Sequence, residues 1–512
     1  MTRRWTEGVE RAVLPNGLRV LVQRDPSAPV VAVVTHVQAG FFDEPDHWAG
    51  ISHVLEHMYF KGTPRRGVGM IARETKAAGG YLNAGTSYDY TAYYTVLPAS
   101  GLDVALDIQA DALQHPLLDA DELRRELQVI VQEARRKRDT PSAVAYETLH
   151  EVMFDRHRIR RWRIGTEETL ASFTRDDVWN YYCSRYVPER TIVAVVGDLD
   201  ANETLRRVEH LFGRWEPRPG AVDRSPEEPL RREVRARTLR GDVAQSELVV
   251  GWRTVPPLHP DAAPLDLAAA VLGAGRGSWL YRSLRQPGIA TAVGAHSFAP
   301  TELGVFSLGT ESEPERMREI VDGLATATTR LALAGPAPAD LERARRLLLA
   351  RYARRLESMD GRAAALAAAE ALDGYDLIDR DYVALQLVTA DDVRRVAERH
   401  LAPDAVSGLV YHPRDRGEEF TVDLLASAFA VSALTPLAPP EVPALAPAPA
   451  RPSPRREQYG VLHAALPGAD LLVRRKPGAP LVTVGVYVAR LPFEPPEQAG
   501  LGALAARSAL RG

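Results

Sequence analysis

Between Ala49 and Pro64 the chain reads AGISHVLEHMYFKGTP, and two histidines and a glutamate fall within five positions, His53-x-x-Glu56-His57. Imidazole and carboxylate are the ligands that divalent zinc takes, and a carboxylate beside a metal can serve as a base. At about 100° per residue, Ile51, Val54, Leu55 and Met58 share one stripe of a helix, and His53, Glu56 and His57 lie nearly opposite. His53 and His57 are one turn apart, so both rings can reach one ion. The competing reading is a solvated helix face. With 13 histidines in the chain, chance supplies His-x-x-Glu-His in roughly a few per cent of such sequences, so the motif needs its surroundings.

Zinc held by two histidines takes a third protein ligand and keeps an open position. The stretch DADELRRELQVIVQEARRKR offers Glu126 and Glu133, seven residues apart and therefore on one helix face, flanking Leu123, Leu127, Ile130 and Ala134. A carboxylate beside buried apolar surface is costly unless it has a partner, and a metal would be one. Periodicity does not choose between the two glutamates.

These residues need a scaffold, and the surrounding sequence describes one. AVLPNGLRVLVQRD places Pro-Asn-Gly between apolar runs, and PVVAVVTHVQAG suits a buried strand. Helical patterns at about 49–60 and 68–78 follow, the second closed by Gly79-Gly80. YLNAGTSYDYTAYYTVL alternates like strands, and long helical patterns fill 101–138 and 143–153. The pattern then repeats. TRDDVWNYYCSRYVPERTIVAVVGD (174–198) resembles TADDVRRVAERHLAPDAVSGLVYHP (389–413), offset by 215 residues, and each reads as a capped helix, a turn and an apolar strand. That period is too long for a solenoid and implies two copies of one domain. Residues 434–457 are dense in proline and alanine and read as an extended linker. Beyond it, 466–512 parallels 14–62 as the start of a third copy. The expected fold is α+β: two homologous domains, 1–225 and 226–433, each an antiparallel sheet packed by helices, then the linker and a third copy over 458–512.

The surroundings also carry a resemblance. AGFFDEPDHWAGISHVLEHMYFKGTPRR, AAGGYLNAGTSYDYTAYY and ELQVIVQEARRKRDTP resemble the pitrilysin-type metallopeptidases, an inverzincin family that includes insulysin and the mitochondrial processing peptidase. The match runs over essentially the whole chain and is most specific across 14–140. It implies that His53, His57 and Glu133, 76 residues past the second histidine, bind Zn2+. It implies that Glu56 is the general base and that Glu126 orients a ligand. GGYLNAGTSYDY then matches the family's edge strand, which receives a peptide as an added β-strand, with Asn83 and Ala84 touching it. The implied activity is hydrolysis of short or unfolded peptides, with zinc polarising the scissile carbonyl and acidifying water. The family also has non-catalytic members, such as core subunits of the cytochrome bc complex, so the alternative is a structural or chaperone-like subunit. Their motifs are degraded, whereas His53, Glu56 and His57 are intact here.

In the third copy Ala503, Ala506 and Arg507 stand where the first has His53, Glu56 and His57, so no metal binds there. This resembles the family's long form, in which an active N-terminal half faces an inactive C-terminal half. It implies a partner, either a missing C-terminal half or a homologous chain, and weak activity of the 512-residue chain alone. About 55 residues are too few for a core of their own. LYRSLRQPGIAT resembles the segment that donates an arginine and a tyrosine to the partner's active site. Arg285 matches the arginine, and the tyrosine position falls on Thr291 or Ala292.

Composition narrows the rest. A net charge of −4 argues against a general nucleic-acid binder, and the single cysteine, Cys183, excludes disulfides and Cys-rich zinc sites. Cys183 reads as a packing residue. The basic run RHRIRRWR (156–163) reads as solvated surface or as a chamber wall favouring acidic peptides, and His36, His47 and His157 as structural or exposed. No apolar run approaches the roughly 20 residues of a membrane span. The N-terminus lacks a signal-peptide core, so a cytoplasmic location is expected.

Overall fold

The computed structural model describes residues 4–430 and, beyond them, 456–458, 460–466, 469–475, 482–487, 494 and 498–509. The expected linker therefore lies outside the described residues, except for 456 and 457, which open a strand. Contacts divide the chain into two units, Met1–Ala444 and Leu445–Gly512.

The strands of the first unit are β1 (Val9–Val13), β2 (Arg19–Arg24), β3 (Val30–Val37), β4 (Tyr81–Thr86), β5 (Thr91–Pro98), β6 (Thr191–Gly197), β7 (Arg235–Gly241), β8 (Ser246–Thr254), β9 (Ala292–Phe298), β10 (Gly304–Ser312) and β11 (Ser407–Pro413). Its helices run from α1 (Ile51–Met58), α2 (Met70–Ala77), α3 (Leu102–Gln114), α4 (Ala120–Arg138) and α5 (Pro141–Met153) through α6 (Glu167–Ser172), α7 (Arg175–Arg185) and α8 (Ala201–Phe212). In the second half α9 (Ala262–Gly273), α10 (Met317–Ala334), α11 (Pro338–Arg355), α12 (Met359–Leu372), α13 (Leu377–Leu387), α14 (Ala390–His400) and α15 (Val422–Ala430) follow.

A six-stranded sheet has the order β1-β2-β6-β3-β5-β4, and a five-stranded sheet the order β7-β11-β8-β10-β9. Both are antiparallel apart from one parallel pair each, β2 with β6 and β7 with β11. The sequence repeat is visible in the pairs α7–β6 and α14–β11. Each helix starts with the same reciprocal cap, Thr174 with Asp177 and Thr389 with Asp392. The strand β3 reads as one apolar run because both its faces are covered. Val31, Val33 and Val37 join the core beneath α1, α3 and α4, whereas Ala32 and Val34 join Leu21, Ile192, Ala194 and Val196 on the opposite face.

That opposite face is covered by α12, through Ala363, Leu366 and Ala367. The second sheet is covered in return by α5, whose Ala145, Leu149 and Met153 pack with Val249, Val305 and Leu409. The 215-residue repeat carries α5 onto α12, so each half lends the equivalent helix to the other's sheet. Fully burying a Leu, Val or Met side chain contributes about 1.5–3 kcal/mol, so this exchange binds the halves strongly. An extended segment over 216–234 joins them.

The second unit holds β12 (Arg456–Gln458), β13 (Val461–Leu466) and β14 (Ala469–Arg474) in one antiparallel sheet, and α16 (Leu501–Ala509). Residues 482–487 form no ladder, and Val482, Val484 and Tyr487 are largely exposed. An extended segment becomes a strand only where another offers backbone partners, and none does among the described residues.

Candidate metal centre

Helix α1 is seated from its N-terminus. Gly50 takes φ 96°, and a Cβ there would lie 2.6 Å from the carbonyl oxygen of Ile164, so the turn requires glycine. The buried carboxylate of Glu44 accepts hydrogen bonds from Gly50 N (2.9 Å) and Ser52 N (2.8 Å), satisfying amides that the helix leaves open. In the second unit Glu494 accepts from Gly500 N and Gly502 N in the same way. Ile51, Val54, Leu55 and Met58 are buried, and this turns His53, Glu56 and His57 to the other side, where each is partly exposed.

Helix α4 lies across that side. It buries Leu123, Ile130 and Ala134, and Glu126 with them. Asp119 caps it by accepting from Asp121 N and Glu122 N. His53, His57 and Glu133 each present a ligand atom, all within 4.8 Å of one another. Glu133 Oε1 is 3.9 Å from His53 Nε2, and Glu133 Oε2 is 3.6 Å from His57 Nε2. Donors bound tetrahedrally at about 2.0–2.1 Å lie roughly 3.3–3.4 Å apart. The two Glu133 separations exceed this by about 0.2–0.6 Å, within reach of side-chain rotation, and with all three donors inside 4.8 Å the donor set suits zinc. The Glu133 side chain is 41% exposed, which leaves one side of the cluster open.

The two glutamates that periodicity left undistinguished occupy different places around His57. Glu126 Oε1 sits 2.9 Å from His57 Nδ1, on the side of the ring away from Glu133, and Glu126 Oε2 pairs with Lys61. Burial works against charge on Glu126, but the hydrogen bonds from Lys61 and His57 outweigh it and hold the carboxyl below its usual range. Burial, with smaller contributions from His57 and Lys137, lowers His53 to about 3, so its ring is neutral at ordinary pH, the form that binds a metal. His53 Nδ1 is buried without a hydrogen-bond partner among the described residues. Burial also raises Glu56, against the opposing hydrogen bond from Thr86 Oγ1 at 2.5 Å.

Asn83 and Ala84 lie on β4, the outermost strand of the first sheet, so one of its edges carries no partner strand among the described residues. Ala84 N donates to Asn83 Oδ1 at 2.9 Å, so this amide is not spent on β5. Thr86, at the end of the same strand, was not singled out by sequence reasoning. Neither was Lys137, which pairs at 2.5 Å with the buried Glu147, itself 2.8 Å from Arg163. The signal for Thr86 lay in strand alternation, which puts it on the same side as Leu82 and Ala84.

The basic run at 156–163 is mostly structural rather than a chamber wall. Arg158 donates to Phe42 O and Asp223, Arg161 to Phe41 O, Glu44 O and Asp46, and His157 pairs with Glu302. Arg156 and Arg160 are exposed. His36 is buried and stacked on Tyr90 at 4.4 Å, and His47 is exposed. Cys183 packs at the edge of the first core. Arg285 is exposed at the end of a short turn, Tyr281–Arg285. Helix α9, the counterpart of α1 in the second half, has the sequence AAPLDLAAAVLG and carries neither histidine nor glutamate.

Comparison with known proteins places the cluster in context. Residues 19–167, which contain all of these candidate site residues, match a family profile described as Insulinase (Peptidase family M16). Residues 172–348 match one described as Peptidase M16 inactive domain. A Bacillus subtilis protein described as an uncharacterized zinc protease is 26% identical over 404 residues, 78% of this chain and 98% of that protein. An uncharacterized zinc protease of Mycobacterium leprae is 30% identical over 318 residues, 61% of this chain and 71% of that protein. A probable mitochondrial-processing peptidase subunit beta of Arabidopsis thaliana is 29% identical over 348 residues, 65% of each chain. Among solved structures, a protease from Helicobacter pylori shares the fold with a TM-score of 0.75 at 23% identity, covering 79% of this chain and 99% of that one.

Proposed function

The chain belongs to peptidase family M16, the pitrilysin-like peptidases, and from that premise we propose that it is a zinc-dependent endopeptidase acting on short or unfolded peptides. The observation that carries this reading is the convergence of His53, His57 and Glu133 within 4.8 Å, next to a partly buried glutamate, Glu56, in the middle of the motif. The printed names of the relatives, zinc protease and mitochondrial-processing peptidase, support it.

In this reading His53, His57 and Glu133 hold the ion, and Glu126, backed by Lys61, orients His57 through Nδ1. Bound zinc would supply Lewis acidity toward a peptide carbonyl and lower the pKa of water. Glu56 accepts a proton on its carboxylate from the attacking water and returns it to the departing amine. Burial, which raises the affinity of Glu56 for a proton, suits both transfers. A peptide adds to the edge of β4 as an extra strand, taking the Ala84 amide once the Asn83 side chain releases it. Backbone pairing of this kind tolerates many sequences and requires an extended peptide. A homologous partner chain or half completes the chamber around the substrate, as the subunit named in one relative's description suggests.

The test is a quenched-fluorescent peptide assay beside a metal assay, with and without chelator and a homologous partner chain. The expected result is about one zinc per chain, lost in His57→Ala, and cleavage abolished by chelator. Zinc unaffected by His57→Ala, or no chelator-sensitive cleavage even with the partner, would instead favour a non-catalytic subunit of the same fold.

A further inference from the structure

We propose that Thr86 is the positioning residue of the base Glu56, and that through it the strand receiving the peptide also sets where the base points. The catalytic part of this inference rests on the peptidase reading above.

The hydroxyl inventory fixes the direction of the contact. Thr91 Oγ1 donates its proton to Ala39 O at 2.9 Å. Thr86 Oγ1 lies 3.4 Å from Thr91 Oγ1 and 2.5 Å from Glu56 Oε2. With the Thr91 proton committed to a carbonyl, the Thr86 proton goes to the Glu56 carboxylate, the group that holds charge. Among the described residues Thr86 is the side chain that hydrogen-bonds this carboxylate. A glutamate on a helix has three rotatable side-chain bonds, and the Thr86 hydroxyl, with the Thr86 backbone amide also facing the carboxylate, restricts where it sits.

Thr86 is suited to hold it. A β-branched side chain is stiff at χ1, and its backbone is paired with Thr91 across the ladder, so its hydroxyl has little freedom. The ladder continues from Thr86 to Asn83 and Ala84, opposite Tyr94 and Tyr93. Two residues along a strand span about 6.6 Å. A peptide paired at Ala84 and the carboxylate held at Thr86 are therefore referenced to one rigid element, which keeps the scissile bond and the base in register.

The test uses the zinc-loaded full chain. Thr86→Val removes the hydroxyl while preserving shape. It should lower kcat by about 10- to 100-fold, with KM and zinc content unchanged within about twofold, because a misplaced catalytic group costs on the order of 100-fold. Thr86→Ser restores the donor without the stiff rotamer and should recover most of the loss. A second readout needs no activity. In the metal-free protein, Thr86→Val should lower Tm by roughly 1–2 °C, and this effect should vanish in a Glu56→Ala background, where the hydroxyl has no carboxylate to hold. Unchanged kcat in Thr86→Val, failure of serine to rescue, or strictly additive Tm shifts would each overturn the role of Thr86. A wild-type chain with no chelator-sensitive cleavage would instead sink the peptidase reading, and with it the catalytic role, while the Tm cycle still decides the contact.

Discussion

His57 meets two glutamates of one helix with its two ring nitrogens: Nδ1 is 2.9 Å from Glu126 Oε1, and Nε2 is 3.6 Å from Glu133 Oε2. Seven residues of α4 rise roughly 10 Å, enough to place one carboxylate on each side of the imidazole. The glutamates thus meet opposite sides of the ring although they share a helix face. In the zinc reading, Glu126→Gln keeps the ion at saturating metal but weakens its binding about 10- to 100-fold, as expected for a group that orients a ligand. Glu133→Ala removes a donor outright and loses stoichiometric zinc. Titration against a competing chelator distinguishes the two, and equal affinities for Glu126→Gln and wild type would contradict the assignment.

Glu56 is not among the three donors, so Glu56→Gln should leave zinc content and affinity unchanged. Loss of the base should lower kcat about 100- to 10,000-fold, the usual range for general acid–base catalysis. The decisive comparison is zinc content against peptide turnover on the same preparation. A Gln variant that cleaves at the wild-type rate would remove Glu56 from the mechanism.

The exchange of α5 and α12 makes each sheet depend on the other half. A fragment of residues 1–225 should expose the face formed by Leu21, Val34, Ile192 and Val196, and should aggregate or bind a hydrophobic dye. Co-expression with 226–433 should restore solubility. Within the full chain, Leu366→Ala opens a cavity under α12 and should cost about 2–5 kcal/mol, read from denaturant unfolding. A soluble, cooperatively folded 1–225 would refute this dependence.

Glu247 and Glu311 lie directly opposite each other on β8 and β10. Burial, and then the neighbouring charge of Glu311, pushes Glu247 up to about 7. The folded state therefore holds a proton that the unfolded chain has released, and stability falls as pH rises from about 4.5 toward 7. Glu247→Gln lacks this loss. It should match wild type near pH 4 and exceed it at pH 8 by about 1 kcal/mol, a figure reduced for the solvent screening of a partly exposed pair. Thermal unfolding across pH tests it, and a Gln variant that gains nothing at pH 8 would rule it out.

The sequence by itself determined the local features. The helical phase of His53, Glu56 and His57, the Thr-x-x-Asp caps before α7 and α14, the 215-residue repeat and the replacement of the motif by Ala503 and Ala506 all follow from spacing within one element or between two copies of it. Such patterns are legible because 3.6-residue and two-residue periodicities project directly onto faces. Only the tertiary structure decided which groups from distant elements meet. Glu126 and Glu133 share a face of α4, so only the crossing of α4 over α1 sets one against Nδ1 and the other near Nε2. The partnership of Thr86 with Glu56 depends on where β4 passes the helix, and the covering of each sheet by the other half's helix depends on packing between segments far apart in the chain. Side-chain hydrogen bonds and buried ion pairs of this kind, such as Lys61 with Glu126 or Arg161 with the carbonyl of Glu44, leave no periodic trace, because each is specified by the relative placement of two backbones and not by either segment alone.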